Sequence, residues 1–184
     1  MKTLSFLLIL FNSSFNVNDN ILKIAENKST LDCYNYTDST KISYFQKKYN
    51  IKEEMIYCFE LYLQIYDWLG VKYSYGKDSK KGIDCSHFVS NIYRKVYGIN
   101  ISGSSSTIFD GCFKVREEDL NEGDLVFFRI NKKKKISHVG IYLQNRQFAH
   151  ATIDGGVIIS NLDETYYKKY FITGGKPNSK TTYE

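Results

Sequence analysis

Two alternating runs stand three residues apart, at 137–143 (Ser-His-Val-Gly-Ile-Tyr-Leu) and 147–152 (Gln-Phe-Ala-His-Ala-Thr). That spacing constrains the fold more than any other feature of the chain. Both runs are rich in β-branched and aromatic residues and alternate with period two, so they read as strands. Gln144, Asn145 and Arg146 between them suit a hairpin loop. With a three-residue loop, Leu143 pairs with Gln147, His150 falls opposite Gly140, and His138 falls opposite Thr152. The two imidazoles are then diagonal neighbours on one face, with the bare Gly140 leaving space beside His150. Val139, Ile141, Ala149 and Ala151 form the opposite, core-facing side. A two-residue loop would turn one histidine away and dissolve the pair.

A second stretch, 82–89 (Gly-Ile-Asp-Cys-Ser-His-Phe-Val), supplies a partner for those imidazoles. Counting from Cys85, apolar side chains recur at Phe88, Val89, Ile92 and Val96, one face of a helix. Asp84 is a suitable N-cap and Gly98 a C-terminal stop. Cys85 therefore sits in the first helical turn, where unpaired N–H groups and the helix dipole favour a thiolate and predict a pKa below the free value of about 8.5. The plain alternative is a small buried cysteine packed in a core. A helix-start cysteine together with two histidines on one face fits nucleophile, base and orienting third group. Zinc held by Cys85, His138 and His150 is the competing use of the same residue types.

The motifs run in order along the chain. Tyr73, Ser74, Tyr75 and Gly76 stand upstream, then Asp84, Cys85 and Ser86 with Phe88 and Val89. Leu120 to Phe128 (Leu-Asn-Glu-Gly-Asp-Leu-Val-Phe-Phe), His138 to Tyr142, and Phe148 to Ala151 complete the set. In these motifs and their spacing, residues 70–175 resemble the NlpC family of papain-like cell-wall cysteine peptidases. Within it, they are similar to the short single-domain murein endopeptidases of Gram-negative bacteria. The resemblance implies an α+β fold of papain-like NlpC type, with N-terminal helices packed on an antiparallel sheet and the nucleophile at a helix N-terminus. It implies Cys85 as nucleophile, His138 as base and His150 as the orienting third residue. Tyr73, Asp84 and Ser86 fall in the substrate and oxyanion region. The implied substrate is peptidoglycan, cut at the D-alanyl–diaminopimelate cross-link or at the γ-D-glutamyl–diaminopimelate bond, without a cofactor or metal. A catalytically silent wall-binding module, or an amidase or acyltransferase on the same fold, are the alternatives. There are three departures from the family pattern: His87 stands where a glycine is usual, Lys77 stands where another is, and Ser102, Gly103 and Ser104 replace a Pro-Arg-Ser segment.

At 184 residues the chain accommodates one domain with extensions. Its start, Lys2 followed by an apolar run over 4–11, has the size of a signal-peptide core and is too short to span a bilayer. Residues 1–14 are thus expected as a signal peptide, 15–50 as a polar linker, 51–176 as the peptidase domain and 177–184 as a loose tail. Export to the periplasm or cell envelope follows, with no transmembrane span and a monomeric state. Ile56, Phe59, Leu63 and Tyr66 predict a helix over 51–69, and strands are expected at 125–130, 139–143, 147–152, 157–160 and 170–173. Of four cysteines, three remain if Cys85 is the nucleophile, so at least one of Cys33, Cys58 and Cys112 stays free or pairs between chains. The net charge of +5 and the run Lys132 to Lys135 suit a solvated loop or attraction to an anionic wall polymer. No aromatic–basic motif supports nucleic-acid binding.

Overall fold

The computed structural model describes residues 39–130 and 135–178. Helices come first: α1 (Ser39–Tyr49), a 3-10 turn (Glu53–Met55) and α2 (Phe59–Trp68). A two-stranded ribbon, β1 (Asp78–Ser79) and β2 (Gly82–Ile83), leads into α3 (Cys85–Tyr97) and α4 (Ser105–Asp110). Strands β3 (Cys112–Val115), β4 (Leu125–Phe128), β5 (His138–Tyr142), β6 (Gln147–Thr152) and β7 (Gly156–Asn161) follow. The short helix α5 (Thr165–Tyr170) precedes β8 (Phe171–Pro177). Strands β3 to β8 make one antiparallel sheet in the order β3-β8-β4-β5-β6-β7. This is the expected α+β arrangement.

The sheet is apolar on both faces because alternate residues of each strand meet different partners. Leu125, Phe127, Val139, Ile141, Ala149, Ala151 and Val157 join the main core with α1, α2 and α3. Val126, Phe128 and Phe148 point the other way and are covered by Leu162 and Tyr167. The stripe read for α3 is the buried one: Phe88, Val89, Ile92 and Val96 lie in the main core. Asp84 caps the helix start, its side chain accepting the His87 N–H, and Gly98 ends it in a left-handed conformation with φ 66°.

Three boundaries differ from expectation. The stretch expected as linker contains α1, because Ile42 and Phe45 are buried among Tyr62 and the neighbouring tyrosines. Its polar residues line only the outer side. The helix expected over 51–69 begins at Phe59, since the backbone N–H groups of Tyr57 and Cys58 are turned onto the Glu122 carboxylate instead of into a helix. Pro177, expected in the tail, is the last residue of β8, opposite Cys112 of the edge strand β3 and past the last β4 partner at Gly175, where a missing N–H is tolerated. The proposed signal peptide, Cys33 and Lys132 to Lys134 lie outside the described residues. Cys58 is held in a disulfide, and Cys85 and Cys112 are free.

The segment after α1 fastens the hairpin that carries both histidines. Gln144 exchanges two hydrogen bonds with the Lys52 backbone, both 3.3 Å. Asn145 donates to the Asn50 carbonyl at 2.9 Å, and Gln147 to the Tyr49 carbonyl at 2.6 Å. Asn145 and Arg146 take left-handed conformations, φ 56° and 63°, which non-glycine residues adopt at some cost. Arg146 is further held by ion pairs to Asp163 and Glu117.

Glu122 fastens α2 in a similar way, from a loop far along the chain. Its carboxylate accepts from Tyr57 N at 3.1 Å, Cys58 N at 2.8 Å and the Tyr62 hydroxyl at 2.8 Å. A negative group at a helix start is favoured by the dipole and by otherwise unpaired amides. Glu122→Ala should therefore destabilise the protein by about 2–4 kcal/mol in chemical denaturation, and Glu122→Gln by less. A loss under about 0.5 kcal/mol for the alanine variant would mean that water replaces the carboxylate without penalty.

Candidate active site

The histidines meet because the hairpin has the three-residue loop. Ile141 pairs with Ala149 and Tyr142 with Phe148, and Leu143 N donates to the Gln147 carbonyl at 2.8 Å. On that register His138 Nε2 lies 2.7 Å from His150 Nδ1. A Cβ on Gly140 would come within 2.8 Å of the Phe148 ring and 3.2 Å of His150 Cβ, so the bare backbone there is required for the packing. His150 is wholly buried, and its Nε2 lies 3.1 Å from Ser160 Oγ on the neighbouring strand. Ser160 pairs with Phe148 across β6 and β7, which puts it on the histidine face. It is a functional candidate that the sequence reading passed over. Its only signal is a lone hydroxyl within the otherwise apolar run of β7.

Cys85 stands at the start of α3, buried, with the backbone N–H of Val139 directed at its sulfur. That amide follows His138 directly in the chain, so Cys85 and His138 are brought to one neighbourhood by β5. Among the described residues no hydrogen bond joins Cys85 to His138. The two line adjoining lobes of one groove. The lobe of about 660 Å³ holds Cys85, Ser86, His87 and Lys135, and the lobe of about 320 Å³ holds His138, His150, Asp154 and Tyr166. Tyr73, Ser137 and Ile153 line both.

Asp84 and Ser86 have occupations besides any contact with substrate. Asp84 Oδ1 accepts from His87 N at 2.9 Å and Ser86 Oγ at 2.8 Å, and Oδ2 accepts from Gly76 N at 2.8 Å. Burial works against its charge, but those donors outweigh it and hold the carboxyl below its ordinary range. Asp84 thus fixes both the helix start and the Tyr73 to Gly76 loop. His87 lies at the groove with Nδ1 3.0 Å from Asp84 Oδ1, off the line of a hydrogen bond. Among the described residues no group of three or more His, Cys, Asp or Glu side chains is arranged to hold a metal ion.

The electrostatics depart from the helix-start expectation. Burial pushes the Cys85 thiol up to about 11, the Val139 N–H pulls it down, and the Asp84 carboxylate adds to the rise. The amides of Ser86 and Cys85 also pull downward, yet desolvation wins. Burial likewise lowers His138 to about 4 and holds His150 well below its ordinary value, with His138 contributing. Tyr73 is raised to about 12 by burial and by Cys85 and Asp84. Burial thus favours the thiol form of Cys85 and the neutral form of both imidazoles.

Residues 70–176 match the NlpC/P60 family. The chain belongs to that family. Over 108 residues it is 43% identical to the murein DD-endopeptidase MepS/murein LD-carboxypeptidase of Escherichia coli K12, covering 59% of this chain and 56% of that one. A probable endopeptidase NlpC homologue of Haemophilus influenzae is 40% identical over 105 residues, 57% and 55% of the two chains. The chain thus spans about half the length of the curated relatives it matches. Among solved structures, an NLP/P60-family lipoprotein-like protein of Staphylococcus aureus superposes with a TM-score of 0.59 at 25% identity. That superposition covers 69% of this chain and 42% of the other. The family match begins at Gly70, so α1 and α2 lie outside it.

Two measurements test these electrostatics. Cys85 in the ligand-free protein should be alkylated slowly near neutral pH, with a rate still rising above pH ~9, beyond the ordinary thiol range. A plateau already reached near pH 7 would mean a preformed thiolate. The histidines titrate near 6.5 when unfolded and lower when folded, so the folded state binds fewer protons below that value. Stability is then full above about pH 6.5 and falls toward pH 4, by about 1.4 kcal/mol per pH unit for each histidine. His150→Gln should flatten that slope. An unchanged slope would place the titrating groups elsewhere.

Proposed function

We propose that this chain is an exported cysteine endopeptidase of the cell envelope that cleaves peptide stems or cross-links of peptidoglycan through Cys85, His138 and His150. The observation that carries the reading is the His138–His150 contact placed next to a helix-start cysteine. The names of the E. coli and H. influenzae relatives support it, as does membership of the family.

Nε2 of His138 faces His150, so Nδ1 is the ring nitrogen left to take the Cys85 proton. The sulfur then attacks the peptide carbonyl, and the charge moves onto its oxygen. Amides of Cys85 and Ser86, which already lie against the sulfur, are donors within reach of that oxyanion, with the Tyr73 phenol at the lobe junction beside them. Collapse of the intermediate breaks the C–N bond, and His138 returns its proton to the leaving amine. Water, deprotonated by His138, hydrolyses the thioester and restores the thiol. Each proton transfer contributes about 10²–10⁴-fold. The imidazolium formed at Nδ1 is stabilised through Nε2–H by His150.

The two lobes suit the two products. Lys135, in the lobe that holds Cys85, gives the acyl side a cationic rim fit for carboxylates. Asp154 with Tyr166 beside His138 gives the other side an acceptor for an amine. A peptide cross-link carries carboxylates and becomes an amine on cleavage. The resemblance to short murein endopeptidases favours the D-alanyl–diaminopimelate bond.

Digestion of purified sacculi, read by mass spectrometry, is the test. Uncross-linked stems mark cross-link cleavage, shortened stems mark the γ-glutamyl cut, and loss of one terminal residue marks a carboxypeptidase. Cys85→Ala and His138→Ala should each abolish product with the fold intact, since the pair acts as a unit. No product from the wild-type protein, with sacculus binding retained, would turn the reading to a silent wall-binding module.

A further inference from the structure

We infer that Ser160 is a positioning residue which, acting through His150, keeps His138 in the tautomer whose Nδ1 is free to accept the Cys85 proton. Three observations carry this. Ser160 is buried, its hydroxyl lies 3.1 Å from His150 Nε2, and His150 Nδ1 lies 2.7 Å from His138 Nε2. These groups form a single file in which His150 has one partner on each nitrogen and His138 meets it through Nε2. A neutral imidazole has one donor and one acceptor nitrogen, so the direction of one hydrogen bond fixes the direction of the next.

The file can run two ways. In the productive direction His138 Nε2–H donates to His150 Nδ1, and His150 Nε2–H donates to Ser160 Oγ. In the other direction Ser160 donates to His150, His150 donates to His138 Nε2, and the proton of His138 lies on Nδ1. That places a hydrogen where the base must be empty. Only the productive direction needs an acceptor beyond His150 Nε2, and the Ser160 hydroxyl at 3.1 Å is the group placed to supply it. The Tyr167 ring, edge-on to His150 with centroids 5.1 Å apart, closes the site on that side.

Removing the hydroxyl reverses the preference. In Ser160→Ala the productive direction strands a buried N–H on His150, whereas the other direction strands only a lone pair, and buried orphan donors are the less tolerated of the two. The variant should therefore shift His138 toward the Nδ1–H tautomer without disturbing Cys85. Ser160→Thr keeps an acceptor oxygen and should keep the wild-type direction.

The experiment has a spectroscopic arm and a kinetic arm, and only the kinetic arm rests on the peptidase reading above. Nitrogen-15 NMR of the imidazoles in the full chain, near neutral pH, should show His138 and His150 both protonated at Nε2 in the wild-type protein and in Ser160→Thr. In Ser160→Ala, the His138 signals should move toward the Nδ1–H pattern. On soluble muropeptides, Ser160→Ala should lose at least about tenfold in kcat with KM nearly unchanged, the signature of a wrongly protonated base. Ser160→Thr should restore most of the loss. Wild-type imidazole signals in Ser160→Ala overturn the inference, and so does equal loss of kcat in the alanine and threonine variants. If the wild-type protein cuts no muropeptide, the peptidase reading fails alone, and the NMR arm still decides the role of Ser160.

Discussion

The rest of the site depends on a register. Because side chains alternate along a strand, the loop between β5 and β6 decides whether His138 and His150 share a face, and one residue more or less would separate them. The three-residue loop sets that register with two left-handed residues, Asn145 and Arg146, neither of them glycine. Such a turn is not self-sustaining. It is held by the Tyr49 to Lys52 backbone on one side and by ion pairs from Arg146 on the other. The 2.7 Å contact between the imidazoles is the end product of this support.

Much of this was legible because the relevant signals are local. The stripe of Phe88, Val89, Ile92 and Val96, bracketed by Asp84 and Gly98, gives α3 directly. Loop length and alternation give the hairpin and the shared histidine face. What escaped reading was set by distant partners. α1 looked like linker because its outer side is polar and its few apolar residues find partners such as Tyr62 well outside the segment. The start of α2 is decided by Glu122, far along the chain. The strand expected over 170–173 runs on to Pro177 as β8, and Leu120 and Phe127 occupy the space that side chains at Gly174 and Gly175 would need. Edge strand β3 exposes Phe113 and Lys114 in succession and so shows no alternation.

The pull of burial against helix-start amides at Cys85 shows how two correct local rules can be ranked only with the fold in view. Helix-start amides do approach the Cys85 sulfur, and they do favour the thiolate. Burial opposes them and wins, because a lone charge in a poorly solvated site costs more than a few amide dipoles return. The same burial keeps the imidazoles neutral.

The latch between α1 and the hairpin also bears on modularity. Similarity to the family begins at Gly70, but the carbonyls that hold the histidine turn belong to residues 49–52, and the apolar cover of α3 includes Leu61, Tyr62 and Ile65. A boundary drawn by resemblance therefore falls inside the structural unit. Transplanting only the matched stretch into another chain would carry both histidines and the cysteine, yet leave behind the part that calibrates the distance between the rings.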